Sequence, residues 1–100
     1  MTAATEDGPF SLPAHIWNQE QTRHMLRNRD MRSLLRLAHQ HGASQQRMGS
    51  ATGMTQSHIS DIMTGMREVT SLQVLERFAD GLVMPDDARM LLGLAPRQTR

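Results

Sequence analysis

Five histidines, His15, His24, His39, His41 and His58, are the first side chains to weigh for chemistry. Two imidazoles bind one metal from a helix when they sit four apart, and no pair here has that spacing. His39 and His41 point to different faces, and the chain has no Cys to assist. Asp86 and Asp87 could suggest an acid pair, but neighbours on a helix diverge, and a helix N-terminus explains two adjacent carboxylates better. No nucleophile elbow, phosphate-binding loop or dinucleotide fingerprint occurs. The expectation is a protein that is not an enzyme and holds no metal or cofactor. What remains is a set of short polar side chains between Ser44 and Gly65, among them Gln45, Gln56, Ser57, Ser60 and Asp61. Amides and hydroxyls of this size read the edges of base pairs, where longer side chains would clash.

The elements that must position them are helices. Tyr is absent, Val is scarce and no stretch alternates apolar and polar residues for long, so strands are not expected. A first helix is predicted from about Pro13 or Asn18 to Asn28, with Trp17, Gln21 and Met25 four apart. Asp30 caps the next, whose Met31, Leu34, Leu35, Leu37 and Ala38 form an apolar face, and Gly42 ends it. Ser44 caps a short helix to Ala51, Gly53 breaks the chain, and Thr55 caps a helix to about Thr64, which Gly65 ends. Ala43 with Met48, Met54 with Ile59 and Val69 with Val74 are placed as hydrophobic staples. Thr70 and Gln73 read as a capping box for a helix burying Leu72, Leu75, Phe78, Ala79 and Leu82. Pro85 opens a last helix through Leu92. The expectation is a compact all-α domain of five or six helices. Residues 1–12 read as a flexible tail, 13–29 as an additional helix, 30–95 as the domain and 96–100 as a second tail. Most of the nine Met residues fall on buried faces and serve as adaptable filler.

Ser44 to Gly65 resembles the helix-turn-helix of phage-repressor and Cro-like regulators, the XRE family. Gln45 stands at the second position of the segment, Gly49 where the helices cross and Gly53 in the turn. Thr55-Gln56, Ile59-Ser60, Ile62 and Gly65 complete the match. The likeness covers about Asp30 to Leu92, and the wider chain is similar to the N-terminal module of actinobacterial regulators. The resemblance implies a lambda-repressor-like fold and a sequence-specific double-stranded DNA-binding regulator, with helix 55–64 in the major groove. It implies base reading by Gln56, Ser57, Ser60 and Asp61, and phosphate binding by Gln45, Arg47, Thr55 and Arg67. Many members pair an Arg with a Glu inside the domain; Ala38 and Met63 hold those positions here, so both charges are replaced together. Members often carry Arg, Gln or Lys where Asp61 stands. A carboxylate there repels phosphate unless it accepts from cytosine N4, so Asp61 is expected to narrow base choice.

The charge supports the same direction. Formal net charge is +1, and all eleven basic residues are Arg. Residues 20–47 hold six Arg against Glu20 and Asp30, while residues 48–88 are acidic. Clustering of this kind attracts phosphate. No apolar run is long enough to span a membrane and no basic-then-apolar leader opens the chain, so a cytoplasmic protein, nucleoid-associated when bound to DNA, is expected. Affinity from so small a domain calls for a homodimer on a palindromic site, with Met90, Leu91 and Leu94 as a candidate dimer face. The alternative is a helix-turn-helix module that binds only protein, antitoxin-like or docked to the transcription machinery, through the segment of Ile16, Trp17, Met25 and Leu26. Burial of Trp17 over the core is the reading favoured against it.

Overall fold

A computed structural model describes residues 10–96. Seven helices follow in order: α1 (Ala14–Trp17), α2 (Glu20–Arg27), α3 (Met31–Gln40), α4 (Gln45–Thr52), α5 (Gln56–Thr64), α6 (Leu72–Gly81) and α7 (Asp86–Leu91). No strand occurs among the described residues. The fold is all-helical, as its patterning requires. α3, α4, α5 and α6 contribute most of one apolar core around Leu34, Leu35, Met48, Ile59, Ile62, Leu75 and Phe78. Ala38 and Met63 both lie in it, so neither position leaves a buried charge unpaired.

The helix starts follow from side-chain oxygens placed to accept from otherwise orphaned N–H groups. The Asp30 carboxylate accepts from the Ser33 N–H, the Ser44 hydroxyl from Arg47 and the Thr55 hydroxyl from His58. α4 and α5 stop at Gly53 and Gly65, both in the left-handed conformation at φ 76° and 85°.

Five details differ from the sequence reading. The helix expected over Pro13–Asn28 is two, because Gln19 is extended (ψ 142°) and heads α2. Asn18, which forms its own local turn, closes α1. That break brings the count to seven helices among the described residues. The tail expected to reach residue 12 ends sooner. Leu12 packs in the core with Ile16 and Trp17, at spacings of four and five residues, and the Phe10 N–H donates to the Gly81 carbonyl at 3.1 Å. Residues 1–9 of that tail, and 97–100 of the C-terminal one, lie outside the described residues. The cap of α6 is Ser71, whose hydroxyl accepts from Val74, rather than Thr70; both residues can cap, and the helix begins one position later. Leu72 therefore heads α6 a turn before its first fully buried residue, Leu75, and stays 52% exposed. Pro85 is the residue before α7, not its first.

Arg89 is a feature the sequence did not disclose. It is 4% exposed, and its guanidinium donates to the Asp80 carboxylate at 3.1 Å and to the Ala95 carbonyl at 3.3 Å. It ties α7 to the end of α6 and to the closing residues of the described chain.

Candidate nucleic-acid interface

The outward helix is held by a backbone contact before any side chain contributes. A Cβ built on Gly49 would stand 2.7 Å from the Met54 carbonyl oxygen, so only glycine lets α4 and the start of α5 approach this closely. The Met54 N–H donates to the Gly49 carbonyl at 2.9 Å across the same turn. On the other side of α4, a Cβ on Gly81 would meet the Ala51 carbonyl oxygen at 2.7 Å. Gly81, near the end of α6, is a crossing point that seats α6 on α4.

α5 turns Ile59, Ile62 and Met63 inward. At about 100° per residue the opposite stripe is then Ser57, Ser60, Asp61 and Thr64, with Gln56 on its flank at the first turn. Gln56, Ser57 and Thr64 are exposed, and Ser60 and Asp61 are half-buried. The four expected base-readers thus share one end and one side of a short helix. Thr64, the last residue of α5, belongs to the same stripe, as its spacing of seven from Ser57 requires. Its hydroxyl donates to the Asp61 carbonyl at 3.3 Å.

The expected phosphate contacts are less uniform. Gln45 is the first residue of α4, half-buried, beside N–H groups that the Ser44 cap does not use. Thr55 is exposed and its oxygen accepts from His58 at 3.1 Å, which leaves the hydroxyl proton free to donate. Arg67 is exposed and makes a loose ion pair with Asp61 at 3.9 Å, so the two side chains moderate each other's charge. Arg47 differs. Its guanidinium stacks over the Phe10 ring, 5.1 Å from the centroid. It shares a face of α4 with Ala51, the residue against Gly81, and so holds down the segment entering at Phe10. Phe10 lies 37 positions away in sequence, and nothing local to Arg47 signals the contact.

His39 Nδ1–H donates to the Ala43 carbonyl at 2.9 Å, and no group of three or more metal-binding side chains gathers among the described residues. No helix among them is long and apolar enough to cross a membrane. Ile16, Trp17 and Leu26 are buried, Trp17 to 4%, so the segment offered as a docking site presents no free indole. Of the candidate dimer face, Met90 is exposed, Leu91 half-buried and Leu94 buried.

Neither the curated proteins nor the solved structures provide a match to the chain. The sequence model of the helix-turn-helix domain matches residues 24–92, a span that opens inside α2, holds α3 to α6 whole and closes just past α7. With α4 and α5 meeting at Gly53 and fixed by Gly49, the chain belongs to the helix-turn-helix domain family, a family related to the XRE type.

Proposed function

We propose that the protein is a sequence-specific double-stranded DNA-binding transcriptional regulator that reads the major groove with α5. The observation that carries this is the stripe of short hydrogen-bonding side chains along α5, exposed or half-buried, on a helix whose fully buried residues all lie on the opposite side. Gln56 pairs with adenine N6 and N7, Ser57 and Ser60 reach adjacent edges or phosphate, and Asp61 accepts from cytosine N4. Gln45 at the start of α4, Thr55 at the start of α5 and Arg67 in the loop after it hold the backbone on either side. Family membership supports the coarse reading, DNA binding. One such domain covers little duplex, so two protomers on half-sites roughly 34 Å apart are the working assembly.

The test is selection of bound sites from random duplex DNA, followed by binding to the selected duplex across a salt series. A recovered palindrome, with affinity that falls as salt rises and is lost in the Gln45→Ala, Gln56→Ala double variant, is the expected result. No retention of any duplex at low salt would exclude the reading and favour a module that binds protein alone.

A further inference from the structure

Three of the six arginines between residues 20 and 47 are occupied within the fold. Arg27 pairs with Glu20 at 3.4 Å, Arg29 donates to the Leu92 carbonyl at 3.0 Å, and Arg47 lies over Phe10. Among the described residues, Arg23, Arg32 and Arg36 make no ion pair or hydrogen bond from their side chains. Of these, Arg32 faces a groove that reaches the outward helix. That groove runs between the α2–α3 junction and the loop after α5, and Arg29, Arg32 and Arg67 line it. Its two carboxylates are Asp30 and Glu68. Asp30 is already satisfied by the Ser33 N–H at 3.1 Å and the Ser33 hydroxyl at 2.7 Å.

Arg32 is brought to the end of α5 by a missing side chain. A Cβ built on Gly65 would stand 3.0 Å from the Arg32 guanidinium, so the glycine that ends α5 also leaves the space in which that guanidinium rests. Arg67 is two residues further along the chain and lines the same groove, and its own hold on Asp61 is loose. Two guanidiniums, one exposed and unpaired among the described residues and one half committed, therefore converge on the C-terminal end of α5. When that helix lies in a major groove, the sugar-phosphate backbone bordering the groove passes this end.

We propose that Arg32, acting with Arg67 across Gly65, binds a backbone phosphate of the duplex that α5 reads. The inference rests on the DNA-binding reading above and adds to it a contact from α3, an element outside the helix pair. The competing role for Arg32 is a cation set against the negative end of the α5 dipole, which needs no DNA.

The experiment measures affinity for a selected duplex and for a scrambled one at several salt concentrations, with thermal unfolding of each variant in parallel. Arg77→Ala, an exposed arginine on α6 outside the groove, controls for loss of one positive charge. Arg32→Ala is expected to weaken both duplexes alike, by about tenfold, because phosphate contacts carry no sequence information. It also makes the log–log salt slope shallower by about 0.9, the signature of one lost phosphate contact. Arg32→Lys recovers part of both. The inference is overturned if Arg32→Ala matches Arg77→Ala on DNA, or if it lowers the melting temperature while the slope stays the same. Wild-type protein that binds no duplex removes the DNA reading and this inference together, which the variant arms distinguish from failure of Arg32 alone.

Discussion

Gln56 stands at the first turn of α5, exposed and with no side-chain hydrogen bond among the described residues, and its amide, on the flank of the outward stripe, can recognise a base in two places at once. Gln56→Ala is expected to remove about 1–3 kcal/mol of discrimination at a single base pair while leaving the rest of the site preference intact. Competition among duplexes differing at one position measures this. An equal loss on all sequences would assign Gln56 to phosphate instead. The side chains of this stripe were legible in the sequence because helix spacing alone divides α5 into an apolar side and a polar one. The roles of the arginines were not. Arg47 is settled by Phe10, Arg32 by Gly65 and Arg89 by Asp80 and Ala95. Of these partners only Ala95 lies within a helical turn or two of its arginine, and a cation on a helix surface has no local feature that names its partner.

The helix pair depends on two different kinds of restraint, and they should fail differently. Thr55 contributes a cap, so Thr55→Ala is expected to cost about 1 kcal/mol of stability with α5 still in place. Gly49 contributes absence of volume. Gly49→Ala puts a methyl 2.7 Å from a backbone oxygen that no rotamer change can move, and a cost of about 1–3 kcal/mol or more is expected. Urea denaturation gives both values. DNA affinity measured on the folded fraction should fall for Gly49→Ala beyond what unfolding explains, since the angle of α5 shifts with the clash. Caps made most helix boundaries readable, because a capping oxygen acts within three residues of itself. The errors came where two cappers compete, as at Thr70 and Ser71, or where a break has no glycine or proline to mark it, as at Asn18 and Gln19. The crossing at Gly81 has no local sequence signal because its partner, Ala51, belongs to another helix.

The molecule as a whole is larger than the helix-turn-helix it contains. The family match opens at residue 24, yet Leu12, Ile16 and Trp17 are buried in the same core as α3 to α6. Burial of each such side chain contributes about 1.5–3 kcal/mol, against a total stability of roughly 5–15 kcal/mol for a domain of this kind. A chain beginning at Glu20 is therefore expected to lose several kcal/mol and to unfold at a markedly lower urea midpoint by circular dichroism. A midpoint equal to that of the full chain would mean the first helix is an ornament on a self-sufficient unit. The burial of Trp17 has one more consequence. The chain has a single Trp and no Tyr, so its near-ultraviolet absorbance and emission come almost wholly from one indole. That indole lies in α1, outside the α4–α5 pair, and sees a dry environment. Its fluorescence should be blue-shifted in the native state and red-shift on denaturation, while a duplex docking on α5 leaves the colour unchanged.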